Sequence, residues 1–186
     1  MISSKDRSYY FGASDTDKII GKKDSDSWIK WWMQKLGINQ DSFDNQYTLA
    51  GTHFEHRILE SLGISDMEFD KQIILEDLRL RVNLDGNTST RIYECKTCKA
   101  EKDFIMPRKY INQVQVQMFA SGIHEASIVV YPLVESDYLN FLNQIDKSRL
   151  MIFDYVYDSK WIEEKYLPKL YECVECLKEG VLPNGN

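Results

Sequence analysis

The sequence predicts an α/β protein built on a mixed β-sheet flanked by helices, and three features carry that expectation. Stretches of alternating or β-rich character follow one another as a meander at Gln72 to Leu75, Leu78 to Leu84 and Ile92 to Thr97. A helical period from Pro107 to about Ser121 separates them from Ala126 to Leu133, a continuous β-branched run of the kind a central strand needs when both its faces are covered. Helical stripes also precede the meander and close the chain. At 186 residues the chain is long enough for one substantial core and short for two, so one domain over 1–186 is expected.

The elements follow in order. Ser14-Asp15-Thr16-Asp17 has the form of a capping box, with Ser14 as N-cap and Gly21 as the stop of a short helix. Asp26 or Ser27 then caps a helix in which Trp28, Trp32 and Leu36 share a face with Trp31 beside them, ending at Gly37. Three tryptophans on one helical face, with little basic charge nearby, read as core rather than as a base-stacking platform. Asn39 to Tyr47 is a polar connection. A third helix runs from Thr48 to about Leu62, burying Phe54, Ile58, Leu59 and Leu62 and stopping at Gly63.

Glu55 stands on or beside that apolar stripe. Two readings stay open for it: a buried carboxylate that needs a cation or several donors, or a surface acid paired with Arg57. His53 and His56 lack a third imidazole and suit surface or supporting roles. In the helix opened by Pro107, Tyr110, Ile111, Val114 and Met118 face the core. Gln113 and Gln117 lie one turn apart along the same face, where long amides usually have a fixed hydrogen-bonding task. Leu150 to Tyr157 supplies a further strand. The last helix buries Ile162, Tyr166, Leu170, Cys173, Val174 and Leu177 and is interrupted or restarted at Pro168.

The net charge of −6 argues against a protein that coats nucleic acid nonspecifically, yet leaves room for local basic clusters at Lys18, Lys22 and Lys23 and at Lys99, Lys102, Arg108 and Lys109. No segment has the length of a membrane span or the form of a leader, so a protein neither secreted nor membrane-spanning is expected. Cys95/Cys98 and Cys173/Cys176 have metal-knuckle spacing. Cys173 and Cys176 belong to the last helix's apolar stripe, however, and Cys95 faces away from Glu94, so reduced core thiols account for them better.

The most informative stretch is Leu84-Asp85-Gly86 followed by Tyr93-Glu94-Cys95-Lys96-Thr97. A hairpin reversal centred on Ser89-Thr90 sets residues summing to 179 opposite each other, which puts Asp85 across from Glu94 with Cβ atoms about 5 Å apart. Opposed like charges destabilise, and a pair of hard oxygen ligands at that separation suits a divalent cation such as Mg2+. Lys96 shares the face of Glu94. The plainer reading of the same residues is a set of solvated surface charges.

Taken with Gly51-x-x-x-Glu55, Tyr110-x-x-Gln113-Val114-Gln115 and Tyr9-Tyr10-Phe11-Gly12-Ala13-Ser14-Asp15, this order resembles the PD-(D/E)XK nucleases of the lambda exonuclease and YqaJ viral recombinase type over nearly the whole chain. Leu84 stands where the family motif often carries proline. The resemblance implies a restriction-endonuclease-like core. It further implies that Asp85, Glu94, the Cys95 carbonyl and Glu55 bind Mg2+, with Mn2+ able to substitute. Lys96 would orient or deprotonate the attacking water, Gln113 would position Lys96 or a phosphate, and Arg7, Ser14 and Gln115 would contact DNA, the first two at a 5′ phosphate. The implied activity is a 5′-to-3′ exonuclease on double-stranded DNA ends in phage-type recombination. Implied partners are a single-strand annealing protein and further copies of the chain, as in a trimer, in the cytoplasm of a bacterial host or phage-infected cell. The alternatives are a RecB-like or CRISPR-associated nuclease with a four-cysteine iron–sulfur cluster, and an inactive DNA-end-binding or regulatory module.

Overall fold

Side-chain alternation turns five segments of this chain into strands, and their pairing in the computed structural model makes one mixed sheet in the order β1-β2-β3-β4-β5. The structure describes residues 8–38, 46–100 and 103–183; Arg7, Lys102 and residues 39–45 of the connection predicted over 39–47 lie outside them, while 46 and 47 already belong to the following helix. The strands are β1 (Glu68–Leu75), β2 (Leu80–Asn87), β3 (Ile92–Lys99), β4 (Glu125–Leu133) and β5 (Met151–Val156). β1, β2 and β3 form the expected antiparallel meander. β3 and β4 run parallel, which demands a crossover, and α4 (Arg108–Ser121) provides it.

The two faces of the sheet are covered differently. On one, Leu80, Val82, Leu84 and Ile92 pack with Trp28, Trp31 and Trp32 of α2 (Asp26–Lys35), with Val114 and Met118 of α4, and with Leu170 and Cys173. The predicted tryptophan core is present, with Trp28 and Trp32 stacked at 5.5 Å. On the other face, Phe54, Ile58 and Leu59 of α3 (Gln46–Glu60) meet Cys95, Val129 and Tyr131. A Cβ at Gly86 would lie 3.0 Å from Met67 Sδ and 3.1 Å from a Leu59 methyl, so the glycine lets this layer close onto the hairpin. β4 is buried along almost its whole length, as its sequence predicts.

Three local expectations need correction. Ser14 is not a helix cap: residues Ala13–Asp15 wind into a 3-10 turn before α1 (Thr16–Ile20), and the carboxylate of Asp15, turned inward, accepts the Gly12 N–H at 2.7 Å. α2 is capped by Ser25, whose Oγ accepts the Trp28 N–H, one residue earlier than predicted. The last helix is not merely restarted at Pro168, for a π-helical turn at Ile162–Tyr166 comes immediately before α5 (Leu167–Glu179).

The hairpin holds the predicted register, but only at its closed end. Gly86 pairs with Tyr93 and Asn87 with Ile92, and the ladder stops there, so Asp85 and Glu94 are not a cross-strand pair. Beyond that point β2 and β3 diverge. The edge that β2 would offer to β3 is instead taken by the N-terminal segment: the Phe11 N–H donates to the Arg79 carbonyl at 2.7 Å, and the Arg81 N–H donates to the Phe11 carbonyl at 2.8 Å. A wedge of non-contiguous chain therefore splits the sheet and leaves a cleft between β2 and β3.

Candidate active site

The cleft encloses about 240 Å3 and draws its walls from five parts of the chain: the wedge, α2, α3, the diverging strands and α4. Glu55, Asp85, Glu94, Lys96 and Gln113 all line it, so most of the side chains singled out in the sequence converge. Asp85 sits where the ladder ends. Its Oδ2 accepts the Cys95 N–H at 2.8 Å, replacing the backbone acceptor that a continued hairpin would have supplied. The N–H and C=O of one strand residue point to the same edge, so the Cys95 carbonyl also faces the gap. Cys95's thiol lies on the far face among Phe54 and Val129.

Glu94 is 1% exposed, and each of its oxygens is held. Oε1 accepts from Lys96 Nζ at 2.5 Å and from Gln113 Nε2 at 2.6 Å; Oε2 accepts from Gln117 Nε2 at 2.5 Å. The two glutamines thus have the fixed task their spacing suggests. Gln113 grips Glu94 rather than Lys96, because α4 crosses the sheet over β3 on the face that Glu94 occupies. Lys96 also stands 5.1 Å from the centroid of the Tyr110 ring. On the opposite layer Gly51 passes within 3.4 Å of Thr97 Oγ1, measured from a Cβ built on it, and one helical turn later Glu55 reaches the cleft. Glu55 is half-buried at the cleft, while Arg57 turns to the carbonyls of Phe141 and Asn143, so neither reading holds in full. His56 stays at the surface, 3.0 Å from Asp70, and these two with Glu55 form the one group of three metal-capable side chains among the described residues.

Three carboxylates share this space with one ammonium. Burial first, and then the charge of Glu94, pushes the Glu55 carboxyl above its ordinary range. Burial and the charges of Glu94 and Glu55 push Asp85 well above its own, against the opposing pull of Lys96 and the Cys95 N–H. Burial alone would lower Lys96, but Glu94 and Asp85 outweigh it and hold the ammonium more tightly protonated than a free lysine. The site is short of positive charge, and its unspent donors are hard oxygens. Such a set suits, by its chemistry, a divalent cation of the Mg2+ or Mn2+ type.

Ser14 lines the opposite end of the cleft. Gln115 is not in it: its Nε2 donates to the Val156 carbonyl and its Oε1 accepts the Asp158 N–H, both at 2.8 Å, which ties α4 to the exit of β5. An odd position between Gln113 and Gln117 falls on another side of the helix, so Gln115 does not share the cleft with them. Four cysteines do not assemble, since Cys95 packs on one face of the sheet while Cys98, Cys173 and Cys176 belong to the other. The sequence reading missed Asp15, Lys35 and Arg81, which also line the cleft. Lys35 carried a usable signal, for it falls four residues after Trp31 and seven after Trp28, on the buried stripe of α2. Arg81 carried none, being one polar residue in an alternating strand.

Residues 4–124 match the model of the YqaJ-like viral recombinase domain. No curated protein matches the sequence significantly. Among solved structures, an alkaline exonuclease from Laribacter hongkongensis is similar with a TM-score of 0.70 and 17% identity, over 92% of this chain and 89% of that one. The same enzyme in complex with dAMP gives 0.69 and 16%, over 96% and 92%. A phage-related exonuclease from Haemophilus somnus 129PT gives 0.64 and 14%, over 91% and 92%. At these identities the structural likeness establishes a shared fold.

Proposed function

The chain belongs to the YqaJ-like viral recombinase domain family, and from that premise we propose that it is a divalent-metal-dependent deoxyribonuclease acting as a 5′-to-3′ exonuclease on double-stranded DNA ends. The observation that carries the reading is the convergence of Glu55, Asp85, Glu94 and Lys96 in one cleft at the point where the hairpin opens. Family membership and the exonuclease fold of the structural neighbours support a nuclease. The dAMP bound to the Laribacter enzyme supports a nucleotide product.

A divalent cation held by Asp85, Glu94, Glu55 and the Cys95 carbonyl would supply charge neutralisation at the scissile phosphate and a water of lowered pKa. The residues of the chain do the rest. Gln113 and Gln117 hold Glu94 in one rotamer, and Asp85 is locked by the Cys95 amide, so the cage is preorganised. Lys96 works as an ammonium: it donates hydrogen bonds toward the attacking water and the charge that builds on phosphate oxygens. Ser14, at the far end of the cleft, faces the terminal phosphate, with Arg7 as its partner. In this reading the protein works with a single-strand annealing partner and as an oligomer in the cytoplasm. No helix among the described residues is long and apolar enough to cross a membrane.

The test is digestion of linear duplex DNA labelled at either end, with Mg2+ and with EDTA, by the wild type and by Lys96→Ala. Expected is nucleotide release from the 5′ end by the wild type with Mg2+ alone, slower on dephosphorylated ends. Equal behaviour of wild type and Lys96→Ala would favour a DNA-end-binding module.

A further inference from the structure

The acidic end of the cleft accounts for only half its lining. The other half is the wedge, and a buried ion pair fastens it. Lys35, at the end of α2, is 1% exposed; its Nζ lies 2.6 Å from Asp15 Oδ2 and donates to the Tyr10 carbonyl at 2.9 Å. Asp15 in turn accepts from Gly12 N–H at 2.7 Å and from Trp31 Nε1 at 2.9 Å. One ammonium and one carboxylate thus fix both ends of the segment from Tyr10 to Asp15.

What the segment carries is the ring of Tyr10. That ring is tethered through its hydroxyl to Glu76 at 2.6 Å, and the guanidinium of Arg81 lies 5.7 Å from its centroid. The Phe11 carbonyl grips the Arg81 N–H on the same side. Arg81 lies four residues before Asp85 on β2, about 13 Å up the strand at ~3.3 Å per residue. It lines the same cleft. A polyanion whose cleaved phosphate sits among the carboxylates must run past the rest of this wall. The Arg79 guanidinium lies at the same distance from the ring, but of the two only Arg81 lines the cleft, where its forked donors suit phosphate oxygens.

We propose that Arg81 binds a backbone phosphate of the substrate strand away from the cleaved bond, and that the Asp15–Lys35 pair is the positioning device that keeps Arg81 aimed into the cleft through Tyr10. The proposal rests on the nuclease reading. A buried ion pair is a poor way to gain stability, because apolar residues of similar volume serve as well or better. Its place under the wedge gives it a different use.

The experiment measures binding of a short 5′-phosphorylated duplex by fluorescence anisotropy in Ca2+, across a salt series, alongside cleavage in Mg2+. Four proteins are compared: wild type, Arg81→Gln, the neutral double variant Asp15→Asn/Lys35→Met, and the triple variant. Arg81→Gln is expected to weaken binding about ten-fold and to lower the slope of log Kd against log salt by about one, the signature of one lost phosphate contact. The double variant leaves no unpaired buried charge, keeps its melting temperature near that of wild type, and shows the same loss of slope. The triple variant binds no worse than Arg81→Gln, since both changes act on one contact. A normal salt slope in Arg81→Gln overturns the phosphate contact, and additive losses in the triple variant overturn the positioning role. Either result with a wild type that still cuts DNA defeats this inference alone. A wild type that neither binds nor cuts defeats the nuclease reading beneath it.

Discussion

Asp137 and Glu94 are both 1% exposed, yet their surroundings differ in a way that separates a buried charge serving the fold from one serving a site. Asp137 accepts from the Val134 N–H at 3.0 Å, from Asn143 at 3.2 Å and from Arg149 at 2.7 Å. Arg149 also caps the Pro132 carbonyl and bonds the Tyr131 hydroxyl. Burial would raise the Asp137 carboxyl, but these donors outweigh it and hold the group below its ordinary value. Glu94 is as well hydrogen-bonded, but it shares Lys96 with Asp85 and Glu55, and those two are pushed up rather than down. Matched charge in one place and a shortage of cations in the other is the physical contrast between scaffold and cleft.

Substitution breaks the contrast most sharply. Asp85→Asn, Glu94→Gln and Lys96→Ala are each expected to lower the rate of DNA cleavage at least ~10³-fold, while Asp137→Ala leaves the rate of the folded protein within a few-fold. A comparable rate loss in folded Asp137→Ala would erase the distinction. Stability runs the other way. Asp137→Ala strands Arg149 and should cost about 3–5 kcal/mol in denaturant titration, whereas Asp85→Asn in EDTA relieves repulsion and should cost nothing or stabilise.

In the proposed function a bound metal would supply the cation that the cleft lacks. At a hundredfold excess over its Kd, Mg2+ or Mn2+ should stabilise the wild type by about 2.7 kcal/mol in a thermal shift series, and Asp85→Asn should lose most of that gain. Asp137 makes a smaller, pH-dependent contribution. Its depressed carboxyl stabilises the fold at every pH above the unfolded value near 3.9, and that stability is lost as pH falls through the lower folded value. The stability difference between wild type and Asp137→Asn should therefore stay constant from neutral pH to about 5 and narrow only in stronger acid. The smallest effect concerns the thiols. Burial pushes Cys173 up to about 12 and raises Cys95 well above its usual range, so neither should be alkylated at pH 8 before unfolding, and fresh protein should show no absorption near 400 nm.

Much of the cleft was legible beforehand because its parts are local. Glu94 and Lys96 share a face through strand alternation, Gln113 and Gln117 through a helical turn, and Glu55 through its place beside Ile58 and Leu59. The misreading of Ser14 as a cap comes from the same local rules applied where a competitor was present: Asp15 stood next to it with a buried partner to reach. Lys35 went unread even though it lies in register with the tryptophans.

By itself, the sequence determined the order of strands and helices, the hairpin register at Gly86 and Tyr93, and which side chains stand on which face, because each follows from periods of two or 3.6 residues acting over short spans. Only the tertiary structure decided that the hairpin opens at Asp85, that Phe11 fills the vacated edge of β2, and that Lys35 fastens the wedge from α2. These contacts join segments 20 to 70 residues apart, and their positions are set by competition among packing partners that no local pattern records.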